Sequence, residues 1–440
     1  MKQIIFVLLL LLSSKIYCQT ISPMQMSDSV YIWLTTERYD QIEKHWEQSF
    51  LINSKITNLA DQYVKIWEHI IDQYGELQDI SEYAELDSTN GVVVIRNFIF
   101  KNDSIGVKVI VNKESEIIGQ FFVSAIILNY KDADYVDTSK FEESDIAFAE
   151  FKNITGKITI PKNIDSSKKV PCVIIVHGSG PSDLDGTLVG RKPYRDIAFG
   201  LSSNEIAVLR YNKRTFLGKI KDANNFTIDD ESVNDAVAAV EFVRNNYADE
   251  IGEIYVLGHS MGGYVMPRIA KKTKIATGFI SVAGNARSIA ELTKEQVLYI
   301  DNIFGGTDQK ELDNIIRQCD FVLNGKFTKD TPVDSFSFFH TPAVYLVNLK
   351  KYNPVKEFQN EKRPILFIQG GRDYQVPIKD FELWKKGLSK NKNCTFVLID
   401  DLNHMLQEGE GRSVPSEYSD PKNVSKKVVD NVLEWLNKKK

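Results

Sequence analysis

Ser260 lies at the centre of the pattern Gly-His-Ser-Met-Gly over residues 258–262, a spacing suited to a nucleophilic serine. The apolar run 254–257 before it predicts a buried parallel strand, and residues 264–272 after it predict a helix packed on a sheet. A tight strand-to-helix turn of this kind holds the serine in a strained conformation with its hydroxyl exposed. Since the pattern also fits an ordinary glycine-rich turn, the prediction depends on finding the partners that such a serine needs.

A serine nucleophile needs a base that accepts its proton and a group that orients the base. His404 follows the predicted strand 395–399 and is the candidate base, while Asp373 follows the predicted strand 364–368 and is the candidate acid. The order of serine, aspartate and histidine along the chain is the one found with this type of turn. We therefore predict a triad of Ser260, Asp373 and His404. Two acidic residues closer to the histidine in sequence remain alternative orienting acids: Asp400 and Asp401.

The negative charge that develops on a carbonyl oxygen during acyl transfer needs backbone N–H donors, which form an oxyanion hole. We predict that these donors are the N–H of Met261, at the start of the helix, and the N–H of Ser179. Ser179 lies in the small-residue segment 177–181 that follows the apolar strand 173–176. We expect His177 to pack beneath this segment and to have a structural role. Acyl transfer of this kind requires no metal ion and no organic cofactor.

From residue 145 to residue 440 the chain alternates strands and helices, which predicts an α/β domain with a mostly parallel sheet and helices on both faces. An insertion over about 285–361 separates two of the predicted strands. It is predicted to be helical and is rich in aromatic residues. Because the insertion leaves the carboxyl edge of the sheet, we interpret it as a lid over the site. The alternative is an extra subdomain with a small core of its own.

A smaller α+β domain is predicted over residues 28–128. Apolar periodicity predicts two helices between residues 36 and 75. Three strands are predicted after them, over 92–100, 107–111 and 117–123. The polar and acidic segment 129–144 is typical of a linker. Exposed aromatic residues on the sheet of this domain would favour a binding role, whereas burial of Trp46 and Trp67 would indicate a structural one.

The first 19 residues have the features of a secretory signal peptide, with an early lysine, an apolar run and a more polar end. The apolar run 4–12 is too short to span a bilayer, which needs about 20 residues. Lipid anchoring at Cys18 is not expected, because Tyr17 occupies the position where lipoprotein signals have a small residue. We therefore predict an exported protein, periplasmic or secreted.

The composition argues against several other classes of protein. A net charge of −5 and the lack of a Lys/Arg cluster disfavour nucleic-acid binding. No segment after the signal peptide has the length and hydropathy of a transmembrane helix. The three cysteines left after cleavage cannot all pair, so the protein is not a disulfide scaffold. No Cys/His spacing predicts a structural zinc site.

From about Asp145 to its end the chain resembles an α/β-hydrolase of the bacterial esterase kind, close to the dienelactone-hydrolase and prolyl-oligopeptidase-like branch. The residues that carry the resemblance are the turn at Ser260 and the segments His177–Pro181 with Asp183 and Asp185, Leu209–Arg214, Gly370–Pro377, Asp401–His404 and Tyr418. Ser182 departs from the pattern, which has an asparagine there. The small N-terminal domain is similar to one often fused ahead of such esterases.

The resemblance implies an α/β-hydrolase fold and a serine carboxylic-ester hydrolase that acts on small-molecule, short-chain acyl esters through an acyl-enzyme. A peptidase of the prolyl-oligopeptidase type and an acyl-thioesterase remain alternatives, because the same triad cleaves those bonds. The chain offers no propeller-sized domain, which argues against the peptidase. The alternative from another class is a binding protein whose N-terminal domain contacts a ligand or an envelope partner, although such a protein does not need a complete triad.

Overall fold

The computed structural model describes residues 21–53, 57–86, 91–102, 104–124, 130–149, 153–162, 168–188, 191–220, 222, 225–305, 309–332, 341–350, 352–419 and 422–438. The predicted signal peptide, 1–19, lies outside these ranges. The chain forms two compact units, Met1–Ile126 and Ile127–Lys440. Among the helices in the described ranges, none is long and apolar enough to cross a membrane.

The described part of the first unit packs helices against an antiparallel sheet. The helices are α1 (Pro23–Thr35), α2 (Tyr39–Lys44), α3 (Gln48–Asn53) and α4 (Leu59–Tyr74). The strands, which pair in chain order, are β1 (Leu77–Leu86), β2 (Gly91–Phe100), β3 (Ser104–Asn112) and β4 (Ile117–Ser124). One hydrophobic core joins the helices to the sheet. It includes Trp46 and Trp67, each only 8% exposed. Burial of these two residues was the observation expected if the domain has a structural role.

The sequence patterns predicted β2, β3 and β4, but they did not predict α1 or β1. The sequence of β1 carries three acidic residues and no apolar run, so no strand signal marks it. Helix α1 begins with a capping box in which the Gln25 N–H donates to the Ser22 hydroxyl oxygen and the Gln25 side chain accepts from the Ser22 N–H. Two aromatic residues on the edge strands are exposed, Tyr83 by 45% and Phe121 by 52%.

The second unit is built on an eight-stranded sheet. Its strands are β5 (Phe141–Phe148), β6 (Ile154–Pro161), β7 (Val170–Val176), β8 (Ala207–Tyr211), β9 (Ile251–His259), β10 (Gly278–Val282), β11 (Ile365–Gly370) and β12 (Cys394–Ile399). Their order across the sheet is β12-β11-β10-β9-β7-β8-β6-β5. β6 pairs antiparallel with both β5 and β8, and the other pairs are parallel. The carboxyl ends of β7, β9, β10, β11 and β12 therefore meet at one edge, as the α/β prediction requires.

Helices cover both faces of this sheet. The α-helices in the described part of this unit, those of the insertion included, are α5 (Pro193–Ser202), α6 (Asn234–Asn246), α7 (Met261–Lys272), α8 (Ile289–Phe304), α9 (Gln309–Asn324), α10 (Ala343–Lys350), α11 (Pro354–Phe358), α12 (Ile378–Gly387) and α13 (Lys426–Asn437). Alternate residues of one strand enter different cores, because successive side chains of a strand point to opposite faces. Ile174 of β7 belongs to the core that includes residues of α6, α7 and α12, whereas Val173 and Ile175 belong to the core that includes residues of α5 and α13.

The insertion between β10 and β11 contains α8 to α11. Its two predicted helices, 291–303 and 310–323, correspond to α8 and α9. An ion pair joins them, with Lys294 Nζ 2.7 Å from a carboxylate oxygen of Asp320. Three aromatic residues of the predicted lid lie outside the described residues: Phe336, Phe338 and Phe339.

The prediction of a linker over 129–144 is wrong at its C-terminal end. Strand β5 begins at Phe141, which is 5% exposed, so a domain that started at Asp145 would cut this strand in two. The residues before β5 also pack on the second unit, since the Tyr135 hydroxyl donates to the Val424 carbonyl oxygen at 2.8 Å. The prediction failed because β5 is an edge strand whose exposed face carries acidic residues, and this composition is also typical of a linker.

Candidate active site

Ser260 joins β9 to α7 through a backbone conformation that L-amino acids rarely adopt. Its φ and ψ are 54° and −118°, and a conformation of this kind costs about 1–3 kcal/mol. The Ser260 N–H donates to the Val282 carbonyl oxygen at 2.9 Å, which fixes the turn to β10. The serine hydroxyl makes no capping hydrogen bond to α7. The strained turn therefore presents the hydroxyl at the carboxyl edge of the sheet.

Two glycines make this turn sterically possible. A Cβ on Gly258 would lie 2.3 Å from the Gly262 carbonyl carbon, and a Cβ on Gly262 would lie 2.4 Å from the Val176 carbonyl oxygen. Both neighbours are backbone atoms of packed elements and cannot move aside. Only glycine at these positions allows α7 to begin directly against β7 and β9, as the sequence pattern predicted.

The structure brings Asp373 and His404 together. Their two loops follow the neighbouring strands β11 and β12, and His404 Nδ1 lies 2.8 Å from Asp373 Oδ2. The other carboxylate oxygen of Asp373 accepts the backbone N–H groups of Gln375 and Val376 at 2.9 and 2.8 Å. Both side chains of the pair are buried. Because the carboxylate accepts the Nδ1–H, the imidazole presents Nε2 as its basic atom.

Asp400 and Asp401, the alternative acids, face other surroundings. The Asp401 carboxylate lies 2.5 Å from Lys427 Nζ of α13 and is 37% exposed. Asp400 is exposed at the end of β12. The strand that an acidic residue follows therefore determines whether its carboxylate reaches His404. Closeness to the histidine in sequence does not determine it.

Asn403 shapes the loop that holds His404. Its side-chain oxygen accepts the N–H groups of Met405 and Gln407 at 3.0 and 3.1 Å, and its own N–H donates to the Gln407 carbonyl oxygen at 3.0 Å. These bonds close a compact turn around the histidine. Within the described residues, neither the Ser260 hydroxyl nor His404 Nε2 has a hydrogen-bond partner, so the contact between them is not formed in this structure. Such contacts often tighten only when substrate binds.

His259, next to the serine, connects the histidine loop to the segment after β7. Its Nε2 lies 3.0 Å from the His404 carbonyl oxygen, and its Nδ1 lies 3.3 Å from the Tyr194 hydroxyl. The same hydroxyl accepts the Gly178 N–H at 3.1 Å. Burial lowers the pKa of His259 to about 3, so the ring is neutral near pH 7 and donates through Nε2. The sequence pattern gave this histidine no role.

The two predicted oxyanion donors flank Ser260. Met261 is the first residue of α7, where backbone N–H groups have no intrahelical partner. Ser179 is exposed and follows Gly178, and a Cβ on Gly178 would lie 3.4 Å from the Ser260 Cβ. The segment after β7 therefore runs beside the serine. His177 is buried beneath it, with Nε2 3.1 Å from the Asp183 carbonyl oxygen, and burial lowers its pKa to about 3.

Arg210 of β8 and two residues that follow this strand, Asn212 and Lys213, fasten the segment that carries Ser179. Buried Arg210 pairs with Asp185. The Leu184 N–H donates to the Asn212 side-chain oxygen at 2.8 Å. Lys213 Nζ donates to the carbonyl oxygens of Gly178 and Gly180 at 2.8 and 2.9 Å, with the lysine only 1% exposed. The sequence marks these residues only as a polar run at the end of a buried strand. It does not show which groups their side chains contact.

Aromatic residues of the insertion contact the loops of the site. Tyr299 of α8 stacks on Tyr374, which follows Asp373, with ring centroids 5.1 Å apart. Tyr345 of α10 has its hydroxyl 3.8 Å from the Met261 sulfur. The insertion therefore contacts the residues next to the acid and next to the serine.

Comparisons with known proteins agree with this fold. The model of the alpha/beta hydrolase family matches residues 173–417. Esterase EstD of Thermotoga maritima is 37% identical over 407 residues, which are 92% of this chain and 93% of that protein.

Solved structures match the chain at lower identity. A Pyrococcus furiosus esterase is 18% identical, with a TM-score of 0.44, over 71% of this chain and 96% of the esterase. Est1E of Butyrivibrio proteoclasticus is also 18% identical, with a TM-score of 0.44, over 67% of this chain and 98% of Est1E.

The chain belongs to the alpha/beta hydrolase family. The resemblance seen in its motifs, to a bacterial hydrolase of the esterase kind, is thereby confirmed, together with the predicted α/β-hydrolase fold.

The geometry predicts that Asp373→Asn and Asp401→Asn have very different effects. An amide at position 373 can donate to Nδ1 and select the wrong imidazole tautomer, which lowers kcat by about 10⁴-fold where a triad loses its carboxylate. An exposed ion pair such as Asp401–Lys427 contributes only about 0–1 kcal/mol, so Asp401→Asn should change kcat by less than about fivefold. Steady-state kinetics on a chromogenic ester measures both variants. A crippling effect of Asp401→Asn would contradict the assignment of the acid.

Proposed function

We propose that this protein is a serine carboxylic-ester hydrolase that uses Ser260, His404 and Asp373. The observation that carries the proposal is the buried 2.8 Å contact between His404 Nδ1 and Asp373 Oδ2, at the same sheet edge as the strained Ser260 turn. Burying a carboxylate and an imidazole is unfavourable unless they are paired. This pair presents a basic nitrogen at the sheet edge where the half-buried Ser260 lies.

The reaction proceeds in two halves. Ser260 Oγ attacks the ester carbonyl carbon while His404 Nε2 accepts its proton, and Asp373 stabilises the imidazolium that forms. The N–H groups of Met261 and Ser179 donate to the developing oxyanion. Collapse of the intermediate expels the alcohol, which takes the proton from His404. Water, activated by the same histidine, then hydrolyses the acyl-enzyme and regenerates Ser260.

The charged surface of the insertion supports small, soluble esters as substrates rather than lipid aggregates. The described part of α9 carries exposed charges at Lys310, Glu311 and Asp313, and an ion pair joins Asp320 to α8. A lid that opens on an oil–water interface needs a broad apolar face instead. The Tyr345 hydroxyl beside Met261 adds a polar group near the serine. The Thermotoga maritima relative is named an esterase, which supports an ester as the substrate.

Ser260→Ala should lower kcat on p-nitrophenyl acetate by about a million-fold, the loss typical of a triad without its nucleophile. The variant should keep its thermal unfolding midpoint, because the change removes one hydroxyl that makes no capping bond. Ser389→Ala, at an exposed serine of the same unit, is the matched control and should retain full activity. Initial rates and circular-dichroism melting curves measure both properties. Near-normal turnover by Ser260→Ala would exclude the serine mechanism.

Acyl chain length provides a separate test of the substrate class. Rates on p-nitrophenyl esters should be greatest between acetyl and hexanoyl and decline gradually with longer chains, since one methylene in a matched pocket contributes only about 1–3 kcal/mol. Matched thioesters and prolyl amides should be poorer substrates than the esters. An optimum at about twelve carbons or longer with interfacial activation would identify a lipase lid. Faster thioester or prolyl-amide cleavage would favour a thioesterase or a peptidase.

A further inference from the structure

Lys213 is a buried cation whose partners belong to the predicted oxyanion hole. The residue is 1% exposed, and its ammonium group donates to the carbonyl oxygens of Gly178 and Gly180 at 2.8 and 2.9 Å. Its third hydrogen bond goes to a carboxylate oxygen of Glu231 at 2.5 Å. All three donors of the ammonium group are therefore used, and two of them hold one short segment.

The bond to Gly178 determines where the Ser179 N–H points. In a trans peptide the C=O and the N–H are antiparallel across the same plane, and the described residues contain no cis peptide bond. When Lys213 attracts the Gly178 carbonyl oxygen to one side, the Ser179 N–H of that peptide is directed to the other side. A charged donor on a carbonyl also polarises the peptide and strengthens its N–H as a donor.

Glu231 extends this contact to the insertion. One of its oxygens pairs with Lys213, and the other accepts the hydroxyl of Tyr345, on α10, at 2.6 Å. The glutamate is 7% exposed. The Tyr345 hydroxyl also lies 3.8 Å from the sulfur of Met261, whose N–H is the other predicted donor. A continuous polar chain therefore runs from α10 through Glu231 and Lys213 to the peptide between residues 178 and 179.

We propose that Lys213 is a positioning residue that orients the peptide of the oxyanion hole, and that Tyr345 connects the insertion to it through Glu231. The inference rests on the proposed esterase function and extends it to residues that do not touch the reacting atoms. A role in stability alone does not require the ammonium group to bind two carbonyl oxygens of the segment that carries Ser179. Lys213 therefore contributes to the chemical step through the geometry of the Ser179 N–H.

The first experiment removes the ammonium group in the full-length protein. Lys213→Met replaces the ammonium group and keeps an unbranched side chain one atom shorter, and Lys213→Met/Glu231→Gln also removes the buried charge that the single change leaves unpaired. We expect kcat to fall by about 10²–10³-fold, as when one oxyanion donor is lost, with KM nearly unchanged. Lys271→Met is the matched control, since this lysine is 62% exposed and its ion-pair partner in the described part of the chain is Glu357.

A pair of substrates separates positioning from general destabilisation. An ester and its thionoester differ only in the carbonyl oxygen, which sulfur replaces with a much weaker hydrogen-bond acceptor. An intact oxyanion hole favours the ester, so the ratio of the two kcat/KM values should fall in both Lys213 variants. Loss of correctly folded enzyme lowers both rates equally and leaves the ratio unchanged. An unchanged ratio would overturn the role of Lys213 while leaving the esterase proposal intact.

Tyr345→Phe decides the result if neither Lys213 variant folds. It removes one hydroxyl and should lower kcat and the ester-to-thionoester ratio on the order of tenfold or less, because the hydrogen bond to the Glu231 carboxylate is lost. If Tyr345→Phe has the wild-type ester-to-thionoester ratio, the connection to the insertion is overturned. If in addition no Lys213 variant folds, the same result overturns the positioning role of Lys213. A wild-type protein that hydrolyses no ester would instead refute the proposed function, and this inference with it.

Discussion

The contact between the start of α7 and the ends of β7 and β9 is the constraint on which the site depends. There the backbone of Gly262 lies so close to Gly258 and Val176 that no Cβ fits between them. This close approach forces Ser260 into its left-handed turn and places Met261 at the helix start. The strain, about 1–3 kcal/mol, is small beside the packing of the strands and helices around the turn. A rigid sheet therefore maintains a serine conformation that the chain would not adopt alone.

Buried polar groups surround the turn, and each of them positions a part of the site. Asp373 holds His404, His259 connects the His404 loop to Tyr194, and Lys213 holds the segment that carries Ser179. Burial of such groups is unfavourable unless their hydrogen bonds are satisfied, and it fixes one arrangement when they are. These hydrogen bonds therefore hold the described side chains around the turn in one arrangement.

The sequence predicted those parts of the molecule that local patterns determine. Continuous apolar runs identified the parallel strands, and the glycine spacing identified the turn at Ser260. The sequence did not reveal β1, whose residues are too polar to mark a strand, or α5, a helix of ten residues that contains a proline and a glycine. Lys213 was missed because its two carbonyl partners lie 35 and 33 residues away in the chain. Only the fold brings such groups together.

The most direct test of the central claim, that Ser260 is the nucleophile between two backbone donors, is a crystal structure of the protein treated with a serine-directed phosphonate. The reagent leaves a tetrahedral phosphorus on its target, which mimics the intermediate of ester hydrolysis. We expect the adduct on Ser260, with one phosphoryl oxygen about 2.7–3.1 Å from the backbone nitrogens of Met261 and Ser179. An adduct on another residue, or a phosphoryl oxygen that contacts neither nitrogen, would contradict the claim.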